Sequence, residues 1–132
     1  MIGADTNILL RLMVPDDPAQ NRRALAFLSD SVADAPIFVG LIVVVEMVWV
    51  LERKYGYSRE HSAAAVRFLL DSPDIVVEEA PLVASVIERV ERLGTDIADE
   101  LIAASNSARG CSRTMTFDRN AAKRIPGMEL LK

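Results

Sequence analysis

The sequence predicts an α/β domain with a mainly parallel central sheet of about four to five short strands. Short aliphatic runs, such as Ile37–Val39 and Ile75–Val77, alternate with longer stretches of helical periodicity. Strands that alternate with helices usually pair in parallel, because each helix carries the chain back across the sheet. The 132 residues contain no repeat, linker or low-complexity tract, so we expect one domain over residues 1–132.

Proline, glycine and capping residues divide the first half of the chain. Asp5-Thr6-Asn7 follows an apolar, strand-like start at Met1–Ala4, and all three residue types favour the position before a helix. Pro18 suits a first helical turn, and Gly56 after basic residues is typical of a helix end. The elements predicted here are a helix over Ile8–Met13, a helix from Pro18 to about Ala33, a turn over Asp34–Pro36, a strand over Ile37–Val39, a helix from Gly40 that ends before Gly56, and a helix from Ser58 to Leu70.

The second half continues the alternation. Pro81 and Gly94 bound a helix in the order expected of these two residues. Asp96, three residues before Asp99, is typical of a helix cap followed by an acidic first turn. The elements predicted here are a strand over Ile75–Val77, helices over Pro81–Leu93 and from Asp96 through Ser105, a strand over Arg113–Phe117, a short helix over Arg119–Arg124 and a strand over Met128–Leu131.

Composition narrows the classes of function. Lys and Arg number 15 and Asp and Glu 19, so the net charge of −4 excludes a general polyanion binder, which would be basic. Aromatic residues make up only 5%, so we expect an aliphatic core. The single cysteine cannot form an internal disulfide, which favours a reducing cytoplasm. We expect no signal peptide and no membrane association, because no segment has the required length and apolarity.

Glu46 is the only charged residue in the apolar run Ile37–Leu51. A helix that is hydrophobic on all sides is normally buried, so we expect this carboxylate to be desolvated. It then needs a cation, a hydrogen-bond donor or a cavity beside it. Glu46 has no capping role to explain it, and it is therefore the strongest candidate for a functional acid.

Three further acids lie near predicted strand ends or helix starts: Asp5, Asp99 and Asp118. The carboxyl ends of parallel strands meet at one edge of a sheet, so these acids and Glu46 can converge there. Converging carboxylates repel one another unless hard cations such as Mg²⁺ or Mn²⁺ bind between them. Cations held by carboxylates activate water for phosphodiester hydrolysis. With one histidine, His61, and one cysteine, no zinc site is expected, and a mechanism that needs two imidazoles is excluded.

Four motifs now stand in order along nearly the full chain: Asp5-Thr6-Asn7, Val45–Leu51 around Glu46, Ala98–Ala104 around Asp99, and Thr116–Arg119 around Asp118. In these motifs the chain resembles PIN-domain ribonucleases, and especially the VapC toxins of bacterial and archaeal toxin–antitoxin pairs. The resemblance implies a three-layer α/β/α PIN-like fold. It also implies that the protein is a cytoplasmic endoribonuclease that depends on one or two Mg²⁺ or Mn²⁺ ions. It further implies that the chain forms a homodimer and that an antitoxin partner covers the active-site groove.

The resemblance also assigns roles to residues. The four acids Asp5, Glu46, Asp99 and Asp118 are the implied catalytic metal ligands, and Asp96 is either a further ligand or a helix cap. Two places depart from the family pattern. Asn120 stands where relatives often carry a second acid, and Gly40 and Leu41 stand where relatives often carry a hydroxyl residue. The implied pocket is supported by Thr6, Asn7 and Thr116, and candidate RNA contacts are Arg11, Lys54, Arg119 and Lys123.

Two alternative functions belong to other classes. A receiver-type phospho-acceptor domain is also α/β with acids at strand ends and bound Mg²⁺, but it needs no helical acid such as Glu46. A PIN-like interaction module without catalysis is expected to have lost some of the four acids, and none is missing here. The sequence therefore favours the metal-dependent ribonuclease.

Overall fold

The computed structural model describes residues 1–32 and 35–132, and helices and strands alternate through this part of the chain. Ala33, where the second helix was expected to end, and Asp34, the first residue of the predicted turn, lie outside the described residues. The elements are β1 (Ile2–Gly3), α1 (Thr6–Met13), α2 (Pro18–Val32), β2 (Ile37–Val39), α3 (Leu41–Arg53), α4 (Arg59–Asp71), β3 (Ile75–Val77), α5 (Ala80–Leu93), α6 (Ile97–Ala108), β4 (Thr114–Thr116), α7 (Arg119–Arg124) and β5 (Met128–Leu130).

All strand pairs in the described residues are parallel, which confirms the predicted fold class. β2 pairs with both β1 and β3, and Ile37 lies opposite Ile2 and Ile75. β4 pairs with β5, so the strands divide into a three-stranded and a two-stranded sheet instead of one central sheet. Because β1 and β2 are parallel and each is followed directly by a helix, α1 and α3 begin at the same sheet edge.

The core is aliphatic, as the composition predicts. Side chains of β2, α3, α4 and α5 fill it, and Val39, Leu51 and Leu69 are completely buried. A smaller cluster of Ala103 with residues of α7 and the segment after it packs separately. None of the helices in residues 1–32 and 35–132 combines the length and apolarity needed to cross a membrane. His61 is exposed on α4.

The prediction that α3 is buried on all sides and that Glu46 is desolvated is wrong. Ile42 is 84% and Trp49 57% exposed, and Glu46, which lies on the same face between them, is also exposed. These three residues recur at the spacing of one helix face, while Val44 and Met47 point into the core. The apolar run therefore has one buried face and one apolar surface, and the surface carries the acid.

Candidate active site

Asp5 and Glu46 are linked through Thr6, the first residue of α1, which follows Asp5 in the chain and contacts Glu46. Asp5 caps α1, its Oδ1 accepting the backbone N–H of Ile8 at 3.2 Å. The next residue, Thr6, is buried and donates its hydroxyl to Oε1 of Glu46. The first strand end and α3 are thereby joined at the sheet edge, and the support of a metal pocket by Thr6 stays a prediction.

A second acidic group forms at the start of α6. Asp96 caps this helix, its Oδ1 accepting the backbone N–H of Asp99 at 2.9 Å. Asp118 caps α7 through Ala121 at 2.9 Å. Asp99 and the two capping acids line a small cleft of about 100 Å³. Thr116 supports this group, because its hydroxyl accepts the backbone N–H of Asp118 at 3.0 Å.

Electrostatic repulsion in this cleft acts on Asp99. Burial raises the pKa of its carboxyl group, and the charges of Asp96 and Asp118 raise it further, against a smaller opposite effect of Arg59. A hard cation relieves repulsion of this kind, and the carboxylate oxygens offered here are the ligands that Mg²⁺ and Mn²⁺ prefer. The donor chemistry of the cleft therefore fits such a cation.

Helix capping and metal binding do not compete for the same atoms. The capping bonds of Asp5, Asp96 and Asp118 each use Oδ1. A carboxylate has two oxygens with about four lone-pair sites, so Oδ2 and part of Oδ1 stay available as ligands at Asp5 and Asp118, whereas Oδ2 of Asp96 also faces Nη2 of Arg59 at 3.5 Å. The capping interpretation of these acids is confirmed, and it leaves their proposed role as ligands open.

The acids thus form two groups, Asp5 with Glu46 and Asp99 with Asp118 and Asp96. In residues 1–32 and 35–132, no three or more Asp, Glu, His or Cys side chains are grouped so that they could hold a metal ion. The four-acid metal site therefore stays a prediction.

Arg59 was not predicted from the sequence, although it lines the acidic cleft together with Arg124. It is the first residue of α4; its Nη1 donates to the carbonyl of Gly94 at 2.8 Å, and its Nη2 lies 3.5 Å from Oδ2 of Asp96. This pair of contacts ties α4 to the turn that starts α6. No sequence pattern points to it, because 37 residues separate Arg59 from Asp96.

Glu100 is the second residue that sequence reasoning missed. Its side chain is only 3% exposed, and it accepts hydrogen bonds from Arg89 at 3.0 Å and from the Thr95 hydroxyl at 3.1 Å. It follows Asp99 directly on α6, so the two acids point to different surroundings. Glu100 therefore anchors α6 to α5, while Asp99 faces the cleft.

The predicted RNA contacts have different environments. Arg11 is engaged within the protein: its Nη1 lies 2.7 Å from Oδ1 of Asp16. The Lys54 ammonium lies over the ring of Tyr55, 5.4 Å from the ring centroid. Arg119 and Lys123 are exposed on α7, directly after Asp118. None of these positions tests RNA binding, so all four contacts stay predictions. Asn7 is exposed, beside Asp5.

If Glu46 is a metal ligand, as the family resemblance implies, replacing Thr6 with valine should lower the expected nuclease activity about 10- to 100-fold, the usual cost of removing a partner that orients a metal ligand. Valine has nearly the same shape but cannot donate to Glu46, whereas Thr6→Ser retains the hydroxyl. Initial rates of RNA cleavage and melting temperatures of both variants provide the measurement. Equal rates for Thr6→Val and Thr6→Ser, with equal melting temperatures, would contradict an orienting role.

The fold and these acids define the class: a parallel α/β domain in which β1 and β4 lead into helices capped by Asp5 and Asp118. A family model described as PIN domain matches residues 3–127, and the chain therefore belongs to the PIN domain family. PIN domains are generally nucleases, and they generally use divalent metal ions. No curated protein matches the chain significantly.

Proposed function

We propose that this PIN domain is a Mg²⁺- or Mn²⁺-dependent endoribonuclease that acts as the toxin of a toxin–antitoxin pair. The observation that carries the proposal is the placing of Asp99, Asp96 and Asp118 around one cleft, where burial and then the charges of Asp96 and Asp118 raise the pKa of Asp99. A hard cation bound in this cleft would relieve the repulsion that acts on Asp99. The family match supports the nuclease class, and the oxygen-only donors support a hard metal.

In this proposal Asp5, Glu46, Asp99 and Asp118 hold one or two ions. When bound, such ions activate water and stabilise the leaving oxygen of a phosphodiester, which leaves a 5′-phosphate and a 3′-hydroxyl. Thr6 orients Glu46 through its hydroxyl, and the capping bonds hold the side chains of Asp5 and Asp118 and the backbone of Asp99. RNA is the proposed substrate, in single-stranded regions where bases can be splayed out.

Two apolar grooves support the proposal of protein partners, a second copy of the chain and an antitoxin. The first, of about 550 Å³, lies between α3 and α6 and is lined by Ile42, Trp49 and Ile102. The second, of about 580 Å³, lies between α1 and α4 and includes Met13 and Phe68. Contiguous apolar surface of this kind is typical of interaction sites. The single, exposed cysteine supports a reducing cytoplasm as the compartment.

The alternatives are less well supported. The PIN family match over residues 3–127 argues against a receiver-type phospho-acceptor domain. An inactive interaction module is disfavoured because Asp5, Glu46, Asp99 and Asp118 are all present.

Removing divalent metal should abolish RNA cleavage by the purified chain. Single-stranded RNA is incubated with Mg²⁺ or Mn²⁺, with excess EDTA, and with the Glu46→Gln protein in Mg²⁺, and the products are analysed by gel and end-group assay. We expect cleavage to 5′-phosphate ends only with the wild-type chain and metal, because the carboxylates act through the cation. Undiminished cleavage in EDTA would refute the metal dependence, and undiminished cleavage by Glu46→Gln would refute the role of Glu46.

A further inference from the structure

A second cleft begins at the proposed catalytic edge and runs between α1 and α2. Its volume of about 420 Å³ lies within the usual range of small-ligand sites. Asp5 and Asn7 line it, so the cleft includes one of the four proposed metal ligands. The other lining residues are Ile8 and Arg11 of α1, and Gln20, Arg23, Ala24 and Phe27 of α2.

Helix geometry directs Arg23 and Phe27 into the same cleft. Residues four apart lie on one helix face with Cβ atoms about 5–6 Å apart, and Ala24 between them is buried against α1. Arg22 precedes Arg23 directly, but consecutive residues do not share a face, and Arg22 does not line the cleft. The two arginines therefore differ in position although they are adjacent in sequence.

The charge available in this cleft comes from Arg23. Arg11 is neutralised by Asp16, and its Nε donates to Gln20 at 2.6 Å. Arg23 is exposed and forms neither an ion pair nor a side-chain hydrogen bond with residues 1–32 or 35–132. A chain with net charge −4 must attract an anionic substrate locally, and Arg23 provides such a cation beside Asp5 and Asn7.

We propose that this cleft binds one nucleotide of single-stranded RNA adjacent to the cleaved bond, with Arg23 holding a phosphate and Phe27 stacking against a base. Phe27 is half-buried, lines the same cleft and follows Arg23 by one helical turn. A cation paired with an aromatic ring is the usual recognition device for single strands. An acidic peptide would use the cation but not the ring, so the pairing favours a nucleotide. The inference rests on the proposed ribonuclease function and adds a subsite to it.

The test measures RNA binding without cleavage. A short fluorescein-labelled single-stranded RNA is titrated with the Glu46→Gln protein in Mg²⁺, and anisotropy gives the affinity at several salt concentrations. Adding Arg23→Gln should weaken binding several-fold and make the log–log salt dependence shallower by about 0.7, the increment for one phosphate of a single strand. Adding Phe27→Leu should weaken binding roughly tenfold with an unchanged salt slope, because stacking is lost and charge is not.

Arg22→Gln is the matched control, since it removes the same charge from the neighbouring residue outside the cleft. Arg23→Lys and Phe27→Tyr should restore most of the affinity, and melting temperatures identify any variant that is misfolded. Equal losses for Arg22→Gln and Arg23→Gln, or no loss for either, would overturn the subsite. A poly-glutamate peptide provides a further test as a competitor of the RNA. If it displaces the RNA equally well from the Phe27→Leu protein and from the parent protein, the subsite is overturned and the cleft is assigned to acidic peptides.

Failure of the subsite can be told apart from failure of the proposed function. If the wild-type chain cleaves RNA with Mg²⁺ but the Arg22→Gln and Arg23→Gln proteins bind RNA with the same affinity, only the subsite is overturned. If the wild-type chain cleaves no RNA and the Glu46→Gln protein binds none, both are overturned.

Discussion

Replacing Asp99 with asparagine should lower the rate of RNA cleavage by about 100-fold or more. Removing a residue that only orients a metal ligand costs about 10- to 100-fold, and removing a ligand itself should cost at least as much. Asparagine has nearly the same shape and leaves the capping bond from the Asp99 N–H to Asp96 intact, since that bond uses the backbone. Only the charge and one carboxylate oxygen are lost. Single-turnover cleavage rates with saturating Mg²⁺ provide the measurement, and a rate within a few-fold of wild type would exclude Asp99 as a ligand.

The same substitution should stabilise the metal-free protein. The raised pKa of Asp99 means that the folded chain holds this proton more tightly than the unfolded chain does. The wild-type protein therefore loses stability as the pH rises above the ordinary carboxyl value of 3.8 and through the raised pKa of Asp99. Asp99→Asn lacks this loss and should melt at a higher temperature than wild type at neutral pH.

Thermal unfolding in EDTA, followed by circular dichroism from acidic to neutral pH, measures this difference. Adding Mg²⁺ should raise the melting temperature of wild type more than that of Asp99→Asn, because a ligand that binds only the folded state stabilises it. A melting temperature for Asp99→Asn at or below wild type in EDTA would contradict the repulsion inferred at this carboxylate. A loss of activity combined with a gain of stability is typical of a functional residue.

Asp96→Asn separates capping from metal binding at the neighbouring acid. Asparagine caps helices as well as aspartate does, so the bond to the Asp99 N–H is retained. If Asp96 is only a cap, this variant should retain far more activity than Asp99→Asn. A loss as large as that of Asp99→Asn would make Asp96 a ligand.

Removing the Arg89 side chain should destabilise the fold by on the order of 3 kcal/mol, the lower end of the cost of breaking a buried ion pair. Glu100 is 3% exposed, so its charge is left buried with only the Thr95 hydroxyl as a donor. The lower end applies because Arg89 is 27% exposed and water can partly replace it. Chemical denaturation of Arg89→Ala at neutral pH measures the loss.

Arg67→Ala is the matched control for this prediction. Arg67 and Glu91 form a pair of similar length, 2.7 Å, but both side chains are about a third or more exposed. Exposed pairs contribute about 0–1 kcal/mol, so this variant should unfold almost as wild type does. Similar losses for Arg67→Ala and Arg89→Ala would show that burial of Glu100 adds nothing to the strength of its pair.

Glu46 shows what the local sequence can predict about a residue and what it cannot. An apolar run around one acid makes Glu46 a candidate, and the family resemblance rests partly on it, while its role as a ligand stays a prediction. The run does not reveal which face of α3 is covered, because that depends on which other elements pack there. The structure leaves Ile42, Glu46 and Trp49 on the outer face, and the hydroxyl of Thr6 meets the carboxylate.

The sequence by itself determined the elements, their order, the parallel fold class and the caps at Asp5, Asp96 and Asp118, because these depend on interactions within about one helical turn or on simple periodicity. Only the tertiary structure decided the juxtapositions: Arg59 beside Asp96, Glu100 between Arg89 and Thr95, and Arg23 with Phe27 in a cleft beside Asp5. These contacts join residues that are distant in sequence or lie on facing helices. Helix packing angles and the rotation of each helix about its axis place them, and both result from the packing of the whole core.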